Sequence, residues 1–162
     1  MPRYSHRSSR SLDQFDRAIL RILQEDNKKP QRSIAEQVHL SAASVQRRIA
    51  AMEDAGIITR NVAVLDHDAL GLTITSVVEV NLVNEQVATV DAAKALFKAT
   101  AEVQQCYYVT GGLSFILVIT TTDMRAYEAL TRRLFGENPH VESYRSLIAL
   151  DRVKAGMAVV IG

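Results

Sequence analysis

The chain has 162 residues, 48% of them apolar, with 19 basic against 18 acidic side chains and a formal net charge of +1. This length fits one large domain or two small ones. Its longest apolar runs, Phe115 to Ile119 and Met157 to Ile161, fall far short of the roughly 18 residues that cross a bilayer, and its single cysteine, Cys106, excludes an internal disulfide and agrees with a cytoplasmic, reducing compartment.

Residues 1–11 are basic and serine-rich with no apolar stretch behind them, so they read as a flexible arm rather than a secretory signal. Asp13 is placed to cap a helix whose apolar stripe is Phe15, Ala18, Ile19, Ile22 and Leu23, ending between Asn27 and Pro30. Ser33 and Glu36 have the S-x-x-E spacing of a capping box for a second helix, with Ile34, Ala35 and Val38 on its apolar side. His39-Leu40-Ser41 leaves room only for a turn, and Ser41 suits the N-cap of a third helix. In that helix Val45, Ile49 and Met52 recur at i, i+4 and i+7 and face inward together. Gly56 supplies the stop, because glycine takes the left-handed conformation cheaply.

Two short helices joined this way form a helix-turn-helix, and the outward face of the second decides what it binds. A 100° step per residue puts Ala43, Arg47 and Ala50 opposite the buried stripe, flanked by Ser44 and Gln46, with Arg48 nearer the edge. Such a small-residue surface with one arginine and one glutamine can enter a major groove about 12 Å wide, where these side chains bond guanine and adenine edges. An ordinary helical hairpin with solvated charges is the alternative. Charge distribution favours DNA: residues 1–65 hold eleven Lys and Arg against seven Asp and Glu, whereas residues 66–162 hold eight against eleven. That asymmetry suggests one half that meets a polyanion. From Ile57 to Leu65 the period changes to two, with Val62 and Val64 alternating, which predicts a strand and hence a winged helix. Asp66-His67-Asp68 and Gly71 mark the boundary.

The second half alternates strand and helix signals. Ile74, Val78, Val80 and Leu82 share one strand face. Residues 91–100 carry Ala93, Leu96, Phe97 and Thr100 at helical spacing. Strands follow over 103–110 and 115–121 around Gly111-Gly112. Asp123 caps a helix with Tyr127, Leu130 and Leu134 inward, and a last strand spans 141–150 after Asn138-Pro139. The order is βαββαβ, the split-βαβ or ferredoxin-like unit. Val77, Val83, Tyr108, Ile116 and Val118 cannot all point into one helical layer, so the second face of the sheet needs a cover. A second copy of the chain is the simplest one, which predicts a homodimer. Tyr107 and Tyr108 are expected at that interface, or else in a pocket, and the apolar tail 155–162 against a neighbouring subunit. The fold class is thus α+β: a winged helix-turn-helix over 12–66, a linker over 67–72 and a ferredoxin-like domain over 73–154.

The motifs LDQFDRAILRIL (Leu12 to Leu23), SIAEQVHLSAASVQRRI (Ser33 to Ile49), EDAGII (Glu53 to Ile58), DALGL (Asp68 to Leu72), VTGG (Val109 to Gly112) and VESYRSLIAL run in order from Leu12 nearly to Lys154. In their order and spacing the chain resembles the Lrp/AsnC, or feast/famine, transcriptional regulators. The resemblance implies an N-terminal domain that binds double-stranded DNA and a C-terminal domain that dimerises, with dimers assembling further to tetramers or octamers. It also implies a small-molecule effector, an amino acid or related metabolite, bound between C-terminal domains. On this reading Ser44, Gln46 and Arg47 contact bases, while Arg32, Ser41, Arg48 and Arg60 contact phosphates, Arg48 having as its alternative an ion pair with Glu53 or Asp54. Thr110, Gly111, Gly112 and Ser114 are the effector-binding candidates. Here the chain departs from the family, whose turn is G-[D/E]-x-D; Gly111-Gly112-Leu113-Ser114 carries no acid to receive a ligand's ammonium group. The glycine N–H groups can still hold a carboxylate, or the pair is simply a hairpin turn.

No cofactor or metal is expected. His6, His39, His67 and His140 lack ligand spacing, and no Walker loop, HExxH, nucleophile elbow or dinucleotide fingerprint occurs. Two further readings remain. One is a sirohaem-decarboxylase-like enzyme using His67 and Arg60, because such enzymes share this two-domain architecture, and the other a DNA-architectural protein of low specificity.

Overall fold

A computed structural model describes residues 10–162, so of the arm expected over residues 1–11 only Arg10 and Ser11 are within the described residues. The chain divides into two compact units, one running up to Val64 and including Ala155–Gly162, the other spanning Leu65–Lys154.

The first unit has three helices, α1 (Gln14–Glu25), α2 (Gln31–Val38) and α3 (Ala42–Asp54). Asp13 caps α1 in a reciprocal box with Asp16, its carboxylate accepting the Asp16 N–H at 2.9 Å. The box expected at Ser33 does not form. α2 begins three residues earlier, at Gln31 behind Pro30, and no side chain caps it. Proline's fixed φ suits a helix start, which leaves Ser33 inside the first turn. Ser41 does cap α3, its Oγ accepting the Ser44 N–H at 3.2 Å. At the other end of α3 the Gly56 N–H bonds to the Glu53 carbonyl and the Ile57 N–H to the Met52 carbonyl, both at 2.9 Å. Gly56 has φ +69°, so this is a Schellman closure that glycine adopts without a Cβ penalty. Ile19, Leu20, Ile34, Ala35, Val38, Val45 and Met52 form the core, with Ile49 half-buried at its edge. Fully burying each large aliphatic chain contributes about 1.5–3 kcal/mol.

The strand expected from Ile57 to Leu65 is absent. Residues 59–66 have no strand or helix pairing, and Val62 and Val64 are exposed. Alternation by itself does not make a strand without a neighbour to take its N–H and C=O groups.

The second unit runs β1 (Ile74–Leu82), α4 (Val87–Ala99), β2 (Val103–Tyr108), β3 (Phe115–Thr121), α5 (Met124–Thr131, continuing as a π-helical turn Arg132–Gly136) and β4 (Val141–Ile148). The sheet order is β2-β3-β1-β4, with every neighbouring pair antiparallel. α4 starts four residues before the expected Asp91, because Thr89 and Val90 bury against the sheet and tertiary packing overrides weak β-branched helix propensity. Val78, Val80 and Leu82 from β1 meet Phe97, Leu117, Ile119, Leu130 and Leu134 in the core. Phe97 stands edge-on to Phe115, with centroids 5.3 Å apart.

On the sheet face away from the helices, Val77 lies between Val118 and Leu147, and Ile116 is opposite Tyr107. Tyr108, expected on this open face, is on the helix side with Phe115, ring centroids 5.1 Å apart. The two adjacent tyrosines therefore have different roles, as period-two alternation requires. The tail 155–162, expected against a neighbouring subunit, packs on α1 of its own chain.

Candidate DNA-binding face and ligand turn

The helix-turn-helix angle is set by the residues between α2 and α3. His39 takes a left-handed conformation (φ 55°, ψ 44°) and the Leu40 N–H bonds back to the Ala35 carbonyl at 3.0 Å. Leu40 then packs at the edge of the core. With Ser41 starting α3 at once, the second helix leaves at an angle that exposes Ala42, Ala43, Gln46, Arg47 and Ala50. No large side chain stands in this row except Gln46 and Arg47. Ser44 is half-buried beside them, its backbone N–H held by Ser41 and its hydroxyl free of protein partners among the described hydrogen bonds.

The phosphate-contact candidates divide. Arg32 is highly exposed, in a loose 3.5 Å pair with Glu36, and such pairs contribute little. Arg60 and Ser41 are also exposed. Arg48 is different: its Nη1 lies 2.8 Å from both Asp13 Oδ2 and Asp16 Oδ1. Its guanidinium also sits over the Phe15 ring, 5.5 Å from the centroid. The ion pair that was the alternative for Arg48 thus forms with the start of α1 and not with Glu53 or Asp54, and Glu53 accepts from the Asn61 side chain. The Asp16 and Asp13 hydrogen bonds raise the Arg48 pKa above its ordinary value. The Asp16 N–H, then Arg48, lower that of Asp13. Nη1 of Arg48 is thereby committed to the start of α1, which ties the recognition helix to the first helix.

In the second unit, Gly111 (φ +106°) and Gly112 (φ +92°) turn β2 into β3. A Cβ at either would meet nothing within 4 Å, so backbone conformation and not space demands glycine here. Thr110 is exposed beside them. Ser114 is not available as drawn from the sequence: it is buried, its Oγ accepts the Leu82 N–H at 3.1 Å and donates to Glu85 Oε1 at 2.5 Å. The Tyr108 hydroxyl donates to the other oxygen, Glu85 Oε2, at 2.6 Å. The two hydroxyls hold the Glu85 carboxyl below its ordinary 4.5, the Ser114 bond contributing most, and Glu85 in turn pushes the Tyr108 phenol up.

Glu85 was missed in the sequence, yet the topology points to it. β1 and β3 are neighbours, with Val80 opposite Phe115, so the loop after β1 must reach the turn before β3. A carboxylate from a different loop is thereby held by Ser114, the last residue of Gly111-Gly112-Leu113-Ser114. Alongside, a cleft of about 510 Å³ opens between α4 and β2, floored by Phe97, Val103 and Phe115 with Lys94 at its rim. Lys94 Nζ sits 4.6 Å from the Tyr108 ring centroid, within cation–π range.

Family models match both units: a winged helix-turn-helix DNA-binding model over residues 12–59 and the Lrp/AsnC ligand binding domain over residues 75–159. An HTH-type transcriptional regulator of Sinorhizobium fredii is 38% identical over 93% of this chain and 89% of its own length. The proline dehydrogenase transcriptional activator of Rhodobacter capsulatus is 32% identical over 88% of this chain and 92% of its own. Among solved structures, an AsnC family regulator from Agrobacterium tumefaciens superposes with a TM-score of 0.87 at 28% identity, covering 92% of this chain and 97% of that one. A Neisseria meningitidis regulator in complex with L-methionine superposes equally well (0.87) at 25% identity, covering 93% and 97%. The members of this family are transcriptional regulators and not enzymes, which removes the tetrapyrrole-enzyme reading. With a winged helix-turn-helix at one end and a ligand-binding ferredoxin-like domain after it, the chain belongs to the Lrp/AsnC family of DNA-binding transcriptional regulators.

Proposed function

We propose that this regulator reads a pseudo-palindromic operator as a homodimer and that an amino acid or related metabolite modulates it in the cytoplasm. One observation carries the reading: α3 presents an exposed row of small residues from which only Gln46 and Arg47 project. Ser44, Gln46 and Arg47 contact base edges, and Arg32, Ser41 and Arg60 contact phosphates, which position the protein without reading sequence. Dimerisation uses the open sheet face of Val77, Ile116, Val118, Leu147 and Tyr107, whose apolar side chains have no cover in one chain. Two recognition helices then enter major grooves about one helical turn, or roughly 34 Å, apart. Further assembly to tetramers or octamers follows the family habit.

For the effector, the supporting geometry is Glu85 held beside the Gly111–Gly112 turn. A carboxylate with both oxygens fixed by hydroxyl donors receives an ammonium group, while Thr110 and the glycine N–H groups face a carboxylate. The Neisseria relative's complex with L-methionine supports the amino-acid class.

The test is binding to DNA upstream of the chain's own gene across a salt series, with and without a panel of amino acids. Tight footprinted binding that weakens steeply with salt, and that an amino acid alters, supports the proposal. Broad unphased coverage of DNA would favour the architectural role instead. Sedimentation of the free protein as a monomer at micromolar concentration would remove the dimer.

A further inference from the structure

We propose that Ala155–Gly162 is a coupling strap, which carries the state of the ligand-binding domain to the recognition helix through α1. The observations begin with topology. The DNA-binding unit consists of the N-terminal helices and the last eight residues, so the ligand-binding domain is inserted between two parts of it. Two chain crossings therefore join the units, not one.

Both crossings leave the inserted domain from one end. β1 and β4 are antiparallel neighbours, with Ser76 opposite Ile148, and the Ala149 N–H bonds to the Thr75 carbonyl at 2.9 Å. Beyond the sheet Arg152 Nη2 reaches Asp68 Oδ1 at 3.0 Å, clasping the outgoing segment to the incoming one. Any shift between β1 and β4 thus bears on residues 153–155.

The far end of the strap is gripped by one face of α1. Arg17, Arg21 and Gln24 follow at i, i+4 and i+7, the spacing that aligns side chains along a helix. The Gln24 amide takes both backbone groups of Val159, at 3.0 and 2.7 Å. Arg21 donates two hydrogen bonds to the Ile161 carbonyl and Arg17 one, at 2.8 Å, to that of Gly162. Ile161 meanwhile packs against the three-helix core. From α1 the path continues at its other end, where Asp13 and Asp16 hold Arg48 of α3. From Arg152 to Val159 the path is the covalent chain itself, and every other step is a hydrogen bond, an ion pair or a packed side chain.

The experiment is a four-way comparison of the full chain, the chain lacking residues 155–162, Arg152→Ala, and both changes together. Amide hydrogen exchange is read on α1, with β3 as internal reference. Deletion is expected to speed exchange in α1 by about tenfold while β3 is unchanged. Arg152→Ala is expected to speed α1 exchange in the full chain and to add nothing once the tail is gone, the signature of coupling through the tail. The proposal is overturned if deletion leaves α1 exchange unaltered. It is equally overturned if Arg152→Ala has no effect on α1, or the same effect with and without the tail. Should the truncated chain fail to fold, Arg17→Ala with Arg21→Ala replaces the deletion and is judged by the same outcomes. None of these readouts involves DNA or an effector, so they stand apart from the operator test.

Discussion

Arg48 Nη1 lies 2.8 Å from Asp16 Oδ1, which fastens the recognition helix to the first turn of α1. Asp16 is almost fully buried and also meets Arg10 Nη2 at 3.3 Å. Removing the buried Asp16 carboxylate takes away one of the two acids on Arg48, leaving Asp13, and the contact with Arg10. Asp16→Ala should therefore destabilise the DNA-binding unit by about 2–4 kcal/mol, read as an earlier loss of α1 and α3 amide signals on urea titration, with the signals of β1 and β3 unmoved. A cost below about 0.5 kcal/mol would show that Arg48 finds solvent or another partner at no loss.

The same cluster sets an acid sensitivity. Asp13 is lowered by the Asp16 N–H first and by Arg48 second. A depressed folded-state value means the stabilisation is fully present above the ordinary carboxylate pKa of about 3.9 and is lost as pH falls through the lower folded value. The stability difference between the native chain and Asp13→Asn should stay level from pH 7 to about 5 and shrink below about 4. Thermal unfolding across that range checks it, and a difference that grows on acidification contradicts the assignment.

Arg47 and Arg48 are adjacent in sequence and opposite in expectation. Arg47→Ala should leave the unfolding curve in place, cost about 1–3 kcal/mol of operator affinity and relax specificity at one base position. Competition binding against single-base operator variants measures this. Equal losses on operator and random DNA would move Arg47 to the phosphate set.

The Glu85–Tyr108 contact has two pH limits. Glu85 is lowered from 4.5, chiefly by Ser114, so its contribution is lost as pH falls below that range. Tyr108 is raised from 10.0 by Glu85, so its contribution is lost as pH climbs past its raised value. Between about pH 5 and 9 the Gly111 and Gly112 amide signals should not move. Tyr108→Phe should bring the Glu85 titration, followed by carboxyl NMR, back toward 4.5. An unchanged titration would mean that Ser114 alone holds the carboxylate.

The open sheet face yields to a single charge. Val118 stands opposite Val77 and Gln105, near the centre of the proposed interface. Val118→Asp should raise the dimer dissociation constant by at least about thirtyfold, the scale of a hot-spot residue. Analytical ultracentrifugation with circular dichroism on the same sample separates dissociation from unfolding. A folded dimer of native strength would place the interface elsewhere.

The parts legible in the sequence were those where one local signal decides. The Asp13, Ser41 and Asp123 caps formed where expected, as did the Gly56 stop and the alternation in β1, because each depends on neighbours within a few residues. Failures fell where a distant partner decides. Ser33 lost its cap to Pro30, and the Val62–Val64 alternation found no strand to pair with. At the functional sites, Arg48 and Ser114 looked available because their partners, Asp16 and Glu85, lie 32 and 29 residues away. Tyr108 was misplaced for a simpler reason: its parity is fixed by pairing with Phe115 across the ladder, and alternation within one strand does not say which set faces the helices.

The contacts between α1 and the tail span 135 to 145 residues and close a loop that contains an entire domain. In an unstructured chain such a loop is costly, its closure entropy growing with the logarithm of its length. Once β1 and β4 have paired, the flanks of the inserted domain are already side by side, and the loop left to close shrinks to the residues outside the sheet. Refolding should therefore proceed in a fixed order, with sheet assembly preceding the capture of Val159 and Ile161 by α1, and with the second event slow wherever the first is incomplete.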